Sequence, residues 1–170
     1  MQQIYLTGER AGDVAAKALA SLRVRTAGYQ LLPLEVGGHV RGKVLRLLTI
    51  PDKPYYNDVP CMIQLAPGER KVIREVFARI AAPALRQAVS ARVPVFIDGI
   101  SREALRSRAY ADAVAECLRG RCQAFAVVED DAVAAVSAMT DDAEQLWLAV
   151  DEENEDDMLR QLLQELSMRL

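Results

Sequence analysis

Ile4-Tyr5-Leu6-Thr7-Gly8-Glu9-Arg10-Ala11-Gly12-Asp13-Val14-Ala15-Ala16 is the stretch whose reading decides the fold. Its first residues form a short apolar run, read as a buried strand over Gln3–Thr7. After the turn at Gly8, residues 12–22 place Val14, Ala18, Leu19 and Leu22 at helical spacing. Strand, glycine turn and helix make the opening half of a βαβ unit, here with the layout of a phosphate-binding loop. In the working pattern G-x-x-x-x-G-K-[ST], backbone N–H groups curl around the phosphates, the lysine neutralises them and the hydroxyl holds magnesium. Counted from Gly8, those last three places hold Asp13, Val14 and Ala15. A carboxylate replaces the glycine, and both the cation and the metal ligand are missing.

Outward from this stretch the chain alternates between strand and helix patterns. Residues 25–36 and 39–50 are β-like runs joined by Gly37-Gly38, a dipeptide suited to a tight hairpin, so the sheet should be mixed. Residues 51–60 form a proline-rich loop with Tyr55 and Tyr56, and 61–65 a short strand. Residues 69–91 read as one helix, which Pro83 should kink or divide. The apolar run 93–97, ending at Asp98, reads as a strand covered on both faces. Ser101 is the expected N-cap of a helix over 102–118. A strand over 122–128, a short helix over 130–139 and a strand over 145–150 follow. The last helix carries Leu159, Leu162, Leu163, Leu166 and Leu170 as its apolar stripe. This alternation implies a single α/β domain over 1–170, in three layers, with a mainly parallel sheet, an antiparallel hairpin and helices on both faces. Ligands of such sheets lie beyond the carboxyl ends of the strands, which puts Gly8 to Asp13 and Asp98 at a common edge if their strands are neighbours.

Composition agrees with a globular chain of this size: 170 residues, 51% hydrophobic and 26% charged. No apolar run approaches the roughly 20 residues that cross a bilayer. No secretory leader is expected at the start, because the polar turn arrives too soon, and a cytoplasmic location follows as the expectation. Cys61, Cys117 and Cys122 contain no C-x-x-C pair and are expected to be buried reduced thiols. His39 is the only histidine, so no multi-histidine metal site can form, and its place after Gly37-Gly38 makes it a solvated turn residue. Net charge is -3, but residues 151–157 hold six acids; the rest has 18 acidic against 21 basic residues. Acids there favour the start of a helix. No basic stripe with interleaved aromatics points to nucleic acid.

The residues resemble the small P-loop nucleoside-triphosphatases of bacteria and archaea. The likeness runs through Ile4-Tyr5-Leu6-Thr7-Gly8-Glu9, Ala27-Gly28-Tyr29 and Ala82-Pro83-Ala84-Leu85-Arg86. It continues in Val95-Phe96-Ile97-Asp98-Gly99-Ile100, then Leu105, Ser107 and Tyr110, and the acidic, leucine-striped last helix. The resemblance implies ATP or GTP with Mg2+ as ligands, bound by the loop Gly8, Glu9, Arg10, Ala11, Gly12, Asp13, Val14 and Ala15, with Asp98 at the magnesium position. Gly99 stands where that family has a glutamate to orient water. No residue is assigned a catalytic role.

Each missing electrostatic group is worth about 2 to 4 kcal/mol, enough singly to slow turnover a hundredfold. Lys17 is a substitute cation about 4.5 Å farther along the helix than Val14, and Arg10 is another, inside the turn. Asp13 is expected to cap the helix and replace the missing anion. Three readings are open. The chain is a degenerate member that binds nucleotide or regulates, hydrolysing poorly or not at all; or an active phosphohydrolase using Arg10 or Lys17; or a protein-interaction module without nucleotide, docking through Tyr55 and Tyr56. No nucleic-acid or membrane partner is expected.

Overall fold

The computed structural model describes residues 2–48, 58–120, 122–140 and 144–170. The loop read over 51–60 and its tyrosines Tyr55 and Tyr56 lie largely outside the described residues.

Eight strands form one sheet in the order β5-β4-β3-β2-β6-β7-β1-β8. The strands are β1 Gln3–Thr7, β2 Ala27–Val36, β3 His39–Leu47, β4 Val59–Ala66, β5 Glu69–Val72, β6 Val95–Ile100, β7 Ala124–Val128 and β8 Gln145–Ala149. Across the sheet from β2 to β8 the neighbours run parallel; the β2–β3, β3–β4 and β4–β5 pairs are antiparallel. The sheet is therefore mixed, as the hairpin at Gly37-Gly38 requires, and the antiparallel part is larger than one hairpin.

Helices α1 (Ala11–Ser21) and α7 (Glu155–Arg169) cover one face, where Val14, Ala18, Leu162 and Leu166 pack on Ile4, Leu6, Phe96, Phe125 and Leu148. The buried residues of that core include none from β2 to β5. The opposite face is the larger core, in which Tyr29, Leu45, Ile97 and Ala126 meet α2 (Arg74–Val76), α3 (Ala82–Ala91), α5 (Arg108–Arg119) and α6 (Val133–Met139) through Val76, Leu85, Val114 and Val136. Three layers result. Among the described residues no helix is long and apolar enough to cross a membrane. The three cysteines are buried free thiols, and burial lifts the Cys61 thiol to about 12.

Several boundaries depart from the sequence reading, each for a local reason. Residues 69–72 are a strand, not the start of a helix: a turn at Pro67-Gly68 returns the chain so that Lys71 pairs with Ile63 and Val72 with Met62. The helical segment is divided as Pro83 demands. A π-helical turn over Phe77–Ala81 precedes α3, and the Ala82 N–H donates to the Phe77 carbonyl, five residues back, just ahead of the proline that has no N–H to give. The helix expected over 102–118 is two, α4 (Arg102–Leu105) and α5, because Ser107 accepts from the Tyr110 N–H and starts a new helix. Ser101 caps α4 by accepting from the Ala104 N–H at 3.1 Å, as expected. His39 is exposed at the start of β3.

Candidate functional site: the cleft at the strand ends

The chain leaves β1 at Thr7 and enters α1 at Ala11, so only Gly8, Glu9 and Arg10 separate strand from helix. Gly8 sits at φ 102°, and a Cβ there would lie 2.1 Å from the Val150 carbonyl oxygen; only glycine lets the turn close this tightly on the end of β8. The Ala11 N–H donates to the Gly8 carbonyl at 3.2 Å and the Val14 N–H to the Arg10 carbonyl at 3.1 Å. These amide groups past the turn are thus already committed to the helix. An eight-residue phosphate cradle needs them free.

The eight loop residues divide three ways. Gly8, Glu9, Gly12 and Asp13 line the large cleft at the carboxyl edge of the sheet. Ala11, Val14 and Ala15 are fully buried in the α1 core. Arg10 turns the other way, donating from Nε to Glu155 Oε2 at 3.1 Å and pairing with Asp13 at 3.2 Å. Lys17 reaches the same Glu155 at 2.7 Å. Lys17 and Arg10 together hold the Glu155 carboxyl below its usual range, and this carboxyl ties α7 to α1. Neither cation lines the cleft. Asp13 makes no capping hydrogen bond, contrary to expectation. Arg10 occupies the N-cap position, and the Asp13 carboxylate is instead turned to the Arg10 guanidinium while still favouring the helix start by its charge.

Asp98 lines the same cleft, yet its strand is not the neighbour of β1: β7 lies between them. Only 9% of its surface is exposed. Its Oδ2 accepts from the Leu31 N–H at 2.8 Å, so β2 and β6 are clamped beyond their ladder, which pairs as far as Tyr29 with Ile97. Burial lifts the carboxyl to about 6, against the opposing pull of that hydrogen bond and of Lys43. Gly99 follows in the left-handed region at φ 68°, where the β6–β7 register slips between Ile97 and Ile100. A Cβ on Gly99 would approach Leu31 Cδ1 to 2.7 Å. The bulge therefore strains any side chain at this position, a glutamate included.

Three groups in the cleft escape the sequence reading: Lys43 from β3, and Glu129 and Asp130 after β7. Lys43 is its one basic side chain among the described residues. Only the sheet order brings β3 beside the loop edge, and no local motif marks it. Glu129 accepts from Arg70 Nη1 at 2.9 Å and makes a second, shorter contact with Nη2. Arg70 also reaches Glu103 at 3.3 Å. The other residues of the resemblance are architectural: Ser107 caps α5, and Tyr110 is buried with its hydroxyl bonded to that of Tyr29.

A magnesium-bound nucleotide does not fit these residues. Ala15 offers no hydroxyl, Val14 no charge, and the cleft presents Glu9, Asp13, Asp98, Glu129 and Asp130 against Lys43 alone.

The fold is that of P-loop nucleoside-triphosphatases. The crystal structure of THEP1 from the hyperthermophile Aquifex aeolicus superposes with a TM-score of 0.73 at 20% identity, covering 98% of this chain and 99% of that one. The solution structure of a human cancer-related nucleoside triphosphatase gives 0.71 at 19% identity, with all of both chains covered. No protein-family model and no curated protein sequence matches the chain.

Proposed function

We propose that this protein is a degenerate nucleoside-triphosphatase-like module that retains the architecture of hydrolytic relatives and acts by binding or regulation, with weak or absent NTP hydrolysis. One observation carries the reading: α1 begins at Ala11, so the turn after β1 is only three residues long and the Ala11 and Val14 N–H groups are spent on the Gly8 and Arg10 carbonyls. The charge of the cleft supports it, since an anionic triphosphate would meet one lysine and five carboxylates, of which only Asp13 and Glu129 are paired with arginines, Arg10 and Arg70. An active phosphohydrolase using Arg10 or Lys17 is disfavoured because Glu155 holds both cations outside the cleft. The second reading, a protein-interaction module, is favoured by exposed Val36, Val40, Ile63 and Leu65 on β2 to β4.

Calorimetric titration with ATP and GTP, with and without Mg2+, followed by phosphate release, tests the proposal. No phosphate release above that of an Asp98→Ala control is expected. Magnesium-dependent turnover that disappears on replacing Asp98 or Arg10 would reject it.

A further inference from the structure

The sheet ends in two edge strands, β5 and β8, and they are guarded differently. β5 reads Glu69-Arg70-Lys71-Val72, and charged side chains of this kind keep other chains from pairing with an edge. β8 reads Gln145-Leu146-Trp147-Leu148-Ala149, with no charge, no proline and no register shift against β1. It carries none of the devices that blunt an edge.

The backbone of β8 shows what that edge offers. On its inner side the Gln3 N–H donates to the Glu144 carbonyl at 2.9 Å, and the Val150 N–H donates to the Thr7 carbonyl at 2.8 Å. Backbone groups alternate sides along a strand, so Glu144, Leu146, Leu148 and Val150 address β1 while Gln145, Trp147 and Ala149 address the open side. Among the described residues one of these outward groups is taken: the Ala149 carbonyl accepts from Asn154 Nδ2 at 2.9 Å. The N–H groups of Gln145, Trp147 and Ala149 and the carbonyls of Gln145 and Trp147 have no partner there. Ala149 is exposed, and Gln145 and Trp147 are half-buried. The strand is also held in place, since the Trp147 ring packs 4.5 Å from that of Tyr5 and its Nε1 donates to Gln145 Oε1 at 2.9 Å.

Charge brackets this edge. Glu144 stands exposed just before β8, and Asp151, Glu152 and Glu153 stand exposed just after it. The side chains of Glu144, Glu152 and Glu153 make no hydrogen bond or ion pair among the described residues. A second copy pairing β8 with β8 across a two-fold axis would run antiparallel and set Glu144 of each chain against the acids that follow β8 in the other. Like charges would meet at both ends. A strand with basic ends meets opposite charge at both.

We infer that β8 is a docking edge for an extended segment of a partner protein, with Lys or Arg at its two ends facing Glu144 and the acids of residues 151–153 and β-forming residues between them. Main-chain bonds to Gln145, Trp147 and Ala149 supply the attachment, and the flanking acids select the basic ends. Glu144 to Asp151 spans about 23 Å at about 3.3 Å per residue, so the basic ends stand about seven residues apart. None of these residues lines the cleft, so occupancy of the edge is independent of whether the cleft holds nucleotide.

The test titrates the end-blocked peptide Lys-Val-Thr-Val-Thr-Val-Thr-Lys into the full chain and follows the fluorescence of Trp147, its one tryptophan. A saturable one-to-one change is expected. The same peptide with Glu in place of both Lys should bind about tenfold more weakly or worse. Ala149→Pro removes an outward N–H at an exposed position without touching the β1 ladder and should weaken binding of the lysine-ended peptide to a similar degree, about tenfold. The double variant Glu144→Gln with Glu152→Gln should weaken it several-fold, while Gln161→Ala, exposed on α7, should leave it unchanged. Circular dichroism establishes that each variant is folded. No saturable binding of the lysine-ended peptide, or equal binding of the glutamate-ended one, overturns the inference and leaves the reading of the cleft intact. A dimer in sedimentation that Ala149→Pro dissolves gives the edge to a second copy and overturns it as well.

Discussion

Replacing Asp98 by asparagine should stabilise the protein at neutral pH. The side chain keeps nearly the same shape, and its amide oxygen can still accept from the Leu31 N–H that now bonds Oδ2. What changes is the charge. Burial raises the carboxyl from an ordinary 3.8 to about 6. Between those values the folded state holds a proton that the unfolded chain has released, so stability falls as pH rises through the window. A rise of that size corresponds to about 3 kcal/mol of penalty once the buried group is ionised at pH 7. The neutral amide introduced by Asp98→Asn carries no such penalty. Urea unfolding of both proteins at several values between about pH 4 and pH 8 measures it. The variant should gain up to about 3 kcal/mol at neutral pH, and the gain should vanish near pH 4, where the native carboxyl is protonated. A variant less stable than the parent at pH 7, or a difference independent of pH, would refute the reasoning.

Other changes probe the loop and the bulge. Introducing the lysine and threonine of the phosphate-loop pattern with Val14→Lys and Ala15→Thr should not create an enzyme, since both positions are fully buried in the α1 core; thermal melting should show a loss of several kcal/mol from burying the lysine, and phosphate release should stay at background. Gly99→Glu should cost about 1 to 3 kcal/mol in chemical unfolding, from its left-handed backbone and the contact with Leu31, with no gain in hydrolysis. Asp13→Ala, which removes an exposed partner of Arg10 and no cap, should change unfolding free energy by at most about 0.5 kcal/mol. Leu162→Ala, fully buried on the inner face of α7, should cost about 2 to 5 kcal/mol by the same assay.

Much of this architecture is legible in the sequence wherever a pattern is local. The β1–turn–α1 unit, the hairpin after Val36, the Ser101 cap, the buried run of β6 and the leucines of α7 all announce themselves by periodicity or turn chemistry. Misreadings fall where tertiary pairing outweighs propensity. Glu69-Arg70-Lys71 are good helix formers, but the Pro67-Gly68 turn and the pairing with β4 make them a strand. Ser107 suits the interior of a helical pattern as well as a cap, so the break between α4 and α5 is hidden. The site is harder to read. Alignment with a phosphate-loop pattern places a cradle across Gly8 to Ala15, whereas the packing of Gly8 on the Val150 carbonyl starts the helix early. Arg10 and Lys17 count as loop cations until Glu155, 138 residues or more along the chain, is brought against them. Lys43 enters the cleft only through the order of the sheet.

The most direct test of the closed turn is an amide-resolved NMR titration of the isotopically labelled protein with magnesium ATP to millimolar concentration, combined with hydrogen exchange. The account predicts that the Val14 amide is protected in the free protein and that the amides from Glu9 to Ala15 keep their shifts as nucleotide is added. Progressive, saturable displacement of several of those amides, with Val14 unprotected beforehand, would contradict it.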